Sequence, residues 1–287
     1  KNADIYECLQ CELVFLDQNS FKLPVGFYEN EYHQSYLTHV EPDALNPQIY
    51  YEKMLKVSAP WANRFIKMLS GGETVLDMGC STGHFMKMIE GKVGKVCGHD
   101  LNIKEVKYCR EELGLDVSSQ PLEERFKKGT FDFITLIFVL EHIGNPVAFL
   151  RYLKTFLKPK GKILIVVPSI TDPLVSFYKI PEFRSFYYCI EHLFYYKKKS
   201  ISLLFDKSGL SGSVELVQEY PLANHLNWVY HKRPSDSLAA RKYVPDISME
   251  TDIKSDSWEE LWQGMDDVYR KFLVNNGYAD RLWCLVG

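Results

Sequence analysis

The stretch ETVLDMGCSTGHF, Glu73 to Phe85, limits what this chain can fold into more than any other. Thr74, Val75 and Leu76 suit a strand buried on both faces, as in a parallel sheet covered by helices. Asp77 falls at the carboxyl end of that strand, and Gly79 and Gly83 remove side chains from the turn that follows. A helix opens near Ser81 to His84, and its first amides, with no partner inside the helix, offer donors to a ligand. A polar small molecule fits such a loop, although glycines that only make a tight turn would look the same. The spacing is G-x-x-x-G, whereas dinucleotide-binding loops carry G-x-G-x-x-G.

The rest of the chain supplies further α/β units. Lys95 to His99 predicts a second strand ending in Asp100, about twenty residues beyond the glycine loop, where an acid reaches ribose hydroxyls. Asn102 with Glu105 starts the next helix and Gly114 stops it. Leu115 to Val117 is a short third strand, followed by the turn Ser119 to Leu122. Phe131 to Leu140, FDFITLIFVL, is a buried fourth strand delivering Glu141 and His142 to its end. Asn145 and Pro146 start a helix through Leu157, and Lys162 to Val167 forms the fifth strand. Ser200 to Ser208 predicts a helix closed by Gly209, then a strand at Val214 to Gln218. Ser257 and Glu260 cap a helix with Trp258, Leu261, Trp262, Met265, Tyr269, Phe272 and Leu273 at helical spacing. Arg281 to Val286 returns as the final strand.

The loop from Asp77 to His84 resembles motif I of the class I S-adenosylmethionine-dependent methyltransferases, and FDFITLIFVLEHIGNP resembles the motif at their fourth strand and active-site edge. The resemblance covers Glu73 to Gly209 most closely. It implies an α/β fold, a seven-stranded Rossmann-like sheet, mostly parallel with an antiparallel last strand and helices on both faces. It also implies S-adenosyl-L-methionine as cofactor, held by Asp77, Gly79, Cys80, Ser81, Gly83 and His84 in the loop, and by Asp100 and Leu101 after the second strand. The adenine would lie among Gln120, Pro121 and Leu122, with Ile137 and Phe138 lining the edge. Many relatives carry a polar residue where this chain has Phe138.

Tyr28, Tyr32 and Tyr36 recur every four residues, which places their rings along one face if the segment is helical. The resemblance implies a tyrosine-bearing helix closing over the cofactor, which assigns Tyr28 and Tyr36 to its sulfonium and Tyr32 to packing. His142 is the first candidate for a catalytic base, since it follows the fourth strand and imidazole titrates near neutral pH. His192, in EHLFYY, is the second; structural histidines bonded to backbone are the alternative for both.

Four segments are expected: a zinc-ribbon-like half at 1–24, a helical cap at 25–72, the cofactor-binding core at 73–219, and an insertion, long helix and final strand at 220–287. In the first, Cys8 and Cys11 have the C-x-x-C spacing by which two thiolates reach one zinc ion, with two free thiols as the other reading. The pair resembles the second knuckle of zinc ribbons that precede some bacterial sugar methyltransferases, whose first knuckle would lie before Lys1. In the cap, Asn46 and Pro47 begin a helix that Pro60 should interrupt before Trp61 to Leu69 resumes it.

Composition excludes some partners. A net charge of -3 gives no basic excess for nucleic acid, and Lys197 to Lys199 read as a solvated helix start. No apolar run approaches the roughly 20 residues of a membrane span and no signal peptide is visible, so the cytoplasm is expected. Seven cysteines without regular spacing argue against a secreted disulfide scaffold.

Rings crowd Pro168 to Tyr196, and their place after the fifth strand predicts an acceptor pocket under an aromatic lid. QEYPLANHLNW and DDVYRKFLVNNGYADRLW resemble methyltransferases of surface-polysaccharide and deoxysugar pathways. That implies O-methylation of a sugar or a sugar-linked or phosphorylated group on a small-molecule acceptor. Two alternatives remain: C-methylation of a nucleotide deoxysugar, and a non-catalytic regulatory protein that binds the cofactor.

Overall fold

The computed structural model describes residues 4–22, 24–28, 46–233 and 255–287. The chain begins with an antiparallel hairpin of β1 (Ile5–Glu7) and β2 (Val14–Leu16). The main sheet then starts with β3 (Thr74–Met78), β4 (Lys95–His99), β5 (Val117–Ser118), β6 (Phe131–Ile137) and β7 (Leu157–Pro168). A short β8 (Phe194–Tyr195) pairs with β2, and β9 (Gly212–Val217) and β10 (Arg281–Val286) complete the main sheet.

The seven strands lie in the order β5-β4-β3-β6-β7-β10-β9. β3 to β7 pair in parallel, while β10 runs antiparallel to both β7 and β9. This is the Rossmann-like sheet the sequence predicts. Neighbouring residues on each buried strand face opposite layers. Val75, Leu164 and Val166 pack with Trp61, Phe65 and Phe85 on one side; Leu76, Ile163 and Ile165 pack with Leu150, Leu153, Ile201 and Phe205 on the other. Helices therefore cover both faces.

Asn46, Asn102 and Asn145 each accept from amides of the helix they precede, as their positions predict. Several boundaries differ, among them the helix after Asn145, which ends at Lys154 and not Leu157, and the third strand, which is Val117–Ser118 and not Leu115 to Val117. The helix Pro47–Ile66 runs unbroken through Pro60. A proline removes one amide from the ladder, and burial of Val57, Trp61, Ala62 and Phe65 against the sheet outweighs that loss. β6 ends at Ile137, three residues early, because Phe138 takes a left-handed φ of 57° and Leu140–His142 coils into a 3₁₀ turn. β7 is longer than its apolar run, since Leu157 already pairs with Phe131. The helix near the end starts at Ser255 and continues to Asn275.

Lys197 pairs with Glu7 at 2.8 Å and Lys199 with Glu12 at 2.7 Å, so the lysine run fastens the N-terminal hairpin. Most rings between 177 and 196 are core rather than lid. Phe183, Tyr195, Leu174, Ile180 and Trp228 pack with Val14 and Leu16 as a separate cluster, and Phe177 and Phe186 remain exposed. Along Ser255–Asn275 only part of the apolar pattern is buried: Leu273 is enclosed, while Leu261, Met265, Val268 and Phe272 face an outer groove beside Leu222. Among the described residues no helix is long and apolar enough to cross a membrane.

Candidate functional site

The carboxyl ends of β3, β4 and β6 meet at one edge, where parallel α/β sheets present their ligand crevice. Gly79 has φ 77° and Gly83 φ 72°, a region that costs other residues strain. The amides of Gly79 and Cys80 both donate to the His99 carbonyl, at 2.8 and 3.2 Å, so the loop folds back onto β4. Packing also requires both glycines: an added Cβ would stand 2.5 Å from Val139 Cγ2 at Gly79 and 2.6 Å from Leu115 Cδ1 at Gly83. Ser81 and Phe138 hold positive φ without being glycine, and such strain concentrates at functional sites.

Asp100 is the clasp of this loop. One oxygen accepts the Ser81 amide and the other the Asn102 amide, both at 2.8 Å. A carboxylate oxygen can accept more than one hydrogen bond, so this position is chemically suited to hydroxyl donors. Leu101 beside it is exposed, as are Gln120 and Pro121. The Gln120 amide donates to Ser118 Oγ at 3.0 Å. The Leu122 side chain, however, is packed in the core and turned from any ligand. A strand-end carboxylate, an exposed apolar side chain and a polar turn suit a ribose diol with a flat base.

Asp77 is buried inside β3, one residue earlier than a strand-end acid, and accepts from Thr135 Oγ1 at 2.6 Å across the Asp77–Thr135 register pair. Burial, reinforced by nearby Asp100, pushes its carboxyl up to about 7. Cys80 and His84 are buried too; His84 Nδ1 lies 3.3 Å from Thr82 Oγ1. Ile137 and Phe138 are partly buried, with the Phe138 ring 4.9 Å from Trp61 and 5.0 Å from the Arg281 guanidinium. Tyr32 and Tyr36 lie outside the described residues. Tyr28 is near His142 instead of the glycine loop, with ring centroids 5.8 Å apart and its hydroxyl donating to the Glu191 carbonyl at 3.3 Å.

The two candidate histidines meet, at 4.9 Å between ring centroids and 72° between planes. The Leu193 amide donates to the Glu141 carbonyl at 2.9 Å, which ties the chain around His192 to the turn carrying His142. His142 Nδ1 is 2.8 Å from the Glu191 carbonyl. A carbonyl only accepts, so Nδ1 carries the proton and Nε2 the lone pair. Burial lowers His142 to about 4 and His192 well below its usual value, so neither titrates near neutral pH as expected.

Three groups here were missed in the sequence. Glu141 is 1% exposed, and burial pushes its carboxyl up to about 8. Arg281 arrives from β10, donates to the Asp280 carbonyl at 2.8 Å and lies 3.6 Å from a Glu219 carboxylate oxygen. Thr135 was hidden inside an apolar run. Only Glu141 carried a signal, being a carboxyl placed directly after a mostly apolar run.

Residues 50–213, more than half of the chain, match the family described as "Methyltransferase domain". The chain belongs to this methyltransferase family. The methyltransferase is 21% identical over 218 residues to the demethylmenaquinone methyltransferase of Oceanobacillus iheyensis, covering 72% of this chain and 87% of that one. It is 30% identical to the ubiquinone/menaquinone biosynthesis C-methyltransferase UbiE of Escherichia fergusonii, over 50% of this chain and 65% of the relative. A ubiquinone biosynthesis O-methyltransferase of Nitrosococcus oceani is 33% identical over 32% of this chain and 42% of its own length. The methyltransferase thus spans less than two thirds of the latter two. A solved S-adenosylmethionine-dependent methyltransferase from Archaeoglobus fulgidus shares the fold, with a TM-score of 0.54, 13% identity and coverage of 89% of this chain and 99% of that one. Two of these relatives are named for ubiquinone or menaquinone biosynthesis and the first for demethylmenaquinone; the resemblance to polysaccharide enzymes is not repeated among them.

Proposed function

We propose that this methyltransferase transfers the methyl group of S-adenosylmethionine to an oxygen of a small polar acceptor in the cytoplasm. One observation carries the reading: the glycine loop touches the β6 edge at Val139, two residues from Glu141, so a donor in the loop adjoins the Glu141, His142 and His192 cluster. S-adenosylmethionine supplies an electrophilic methyl on a sulfonium. Asp100 takes the ribose hydroxyls, Leu101, Gln120 and Pro121 the base, and the loop from Gly79 to Gly83 the amino-acid portion. Ile137 and Phe138 wall the donor from β6, and Tyr28 closes the acceptor side next to His142.

In-line displacement needs little besides alignment and exclusion of water. Partly buried His142 and His192, with Arg281 beyond Phe138, give a polar acceptor end within an apolar surround. That character favours a hydroxyl-rich acceptor, and with the polysaccharide-like phrases it supports a sugar or sugar-linked hydroxyl, with C-methylation of a deoxysugar as a variant. A second reading, a phenolic ring, is favoured by the quinone-biosynthesis relatives. Turnover of S-adenosylmethionine against matched panels of nucleotide sugars and polyhydroxylated phenols separates the two. Turnover with no member of either panel, in a protein that binds the cofactor tightly, would favour the regulatory alternative.

A further inference from the structure

Glu141, His142 and His192 each offer one ligand atom, and those three atoms all lie within 4.8 Å of one another. The Glu141 carboxyl is 1% exposed, and neither oxygen has a hydrogen-bond partner among the described residues. A buried carboxylate left in that state is costly unless positive charge meets it. The charge of Arg281 reaches Glu141 only through space, while its close contacts are the Asp280 carbonyl, the Glu219 carboxylate and the faces of Phe138 and Tyr220. The bond from His142 Nδ1 to the Glu191 carbonyl is the one that commonly orients a metal-ligating imidazole, leaving Nε2 to coordinate. Two imidazoles and one carboxylate form a donor set that takes zinc or another divalent transition metal and leaves positions open.

We infer that Glu141, His142 and His192 bind a divalent transition-metal ion whose open position receives the acceptor oxygen. This rests on the acceptor-site reading above and names how that site activates its substrate. An oxygen coordinated to such an ion releases its proton far more readily. The acceptor O–H bond gives its proton to solvent water, the oxygen forms a bond to the methyl carbon, and the carbon–sulfur bond breaks with its electron pair left on a neutral thioether. The products are a methyl ether, the thioether and one proton. The acceptors that profit most carry two adjacent oxygens able to chelate, a vicinal diol or an ortho-dihydroxy ring.

The test uses the full chain with Cys8→Ser and Cys11→Ser, so that thiolates cannot contribute. After chelator treatment it is titrated with Co²⁺ alone, by calorimetry and visible absorption. The expected result is about one ion per chain with a nitrogen and oxygen spectrum, and weakening on the order of a hundredfold in Glu141→Gln and in His192→Ala. His231→Ala, at an exposed histidine away from the cluster, should bind as the parent does. Circular dichroism and binding of S-adenosylhomocysteine verify that each variant folds. No stoichiometric Co²⁺ in a folded parent that binds S-adenosylhomocysteine would overturn the metal site and leave the methyltransferase reading standing. Equal binding in Glu141→Gln and His192→Ala would overturn it as well. Loss of S-adenosylhomocysteine binding by the parent would instead strike the reading beneath it.

Discussion

Gly79 faces Val139 so closely that a Cβ added to it would stand 2.5 Å from Val139 Cγ2. That contact joins the turn after β3 to the turn after β6, and so the proposed donor loop to the proposed acceptor cluster. Gly79→Ala adds a methyl at this contact and forces a side chain onto a φ of 77°. The backbone strain alone costs about 1–2 kcal/mol. Calorimetry should show S-adenosylmethionine binding weakened on the order of tenfold or more, since 1.4 kcal/mol is tenfold, together with a lower melting temperature. Unchanged affinity would mean that the loop does not hold the donor.

Asp100 has two roles in this account, clasping the amides of Ser81 and Asn102 and receiving the ribose. Asp100→Ala removes both, and Asp100→Asn retains one acceptor oxygen. The expected order of S-adenosylmethionine affinity is wild type, then Asn, then Ala, with Ala weakened by more than about tenfold, as charge-assisted bonds are worth roughly 1.5–3 kcal/mol each. Adenosine alone should follow the same order, because the ribose and not the sulfonium meets this residue.

Asp77 makes stability without ligand depend on pH. Its folded carboxyl is raised to about 7 by burial, above the unfolded value. Below both values the two states are protonated alike and nothing is lost. As pH rises between them the unfolded chain ionises first and holds fewer protons than the native one, so stability falls, and it levels off above pH 7 or so. Asp77→Asn keeps an oxygen for the Thr135 hydroxyl and cannot ionise. Denaturant titrations should show the variant gaining on wild type by a few kcal/mol between acid and neutral pH. Parallel pH profiles would show that Asp77 stays ionised.

The strands at the sheet centre were legible because buried strands announce themselves by composition. Lys95 to His99 and Arg281 to Val286 read correctly to the residue, and three asparagine caps marked their helices. What failed depended on partners distant in sequence. Pro60 reads as a break until Trp61 and Phe65 are seen packed against Val75 and Trp283. The rings from Phe183 to Tyr195 read as a lid until β2 is found paired with β8 beside them. At the site, His142 was visible as the residue after a buried strand. Its loss of basicity and its neighbour Glu141's missing partners arise from burial by the segment around His192, fifty residues on.

Cys8 and Cys11 close the β1–β2 hairpin, and the backbone amides of Cys11 and Gln10 lower the Cys8 thiol, as in a metal knuckle. We propose that this pair supplies two of four zinc ligands. In the Glu141→Gln background, which weakens the Glu141, His142 and His192 cluster, protein purified without chelator should hold zinc that Cys11→Ser releases, read by elemental analysis. Zinc retained when Cys11→Ser is added to Glu141→Gln would exclude the knuckle as its site.

The central claim is that the donor lies in the Gly79 to Gly83 loop with its reactive end toward Glu141 and His142. A crystal structure with S-adenosylhomocysteine tests this most directly, since the product keeps every anchoring group and needs no acceptor. The account predicts the ribose on Asp100, the base beside Leu101 and Gln120, and the sulfur facing the Glu141, His142 and His192 cluster. A product bound away from β3 and β4, or one whose sulfur turns from that cluster, would contradict it.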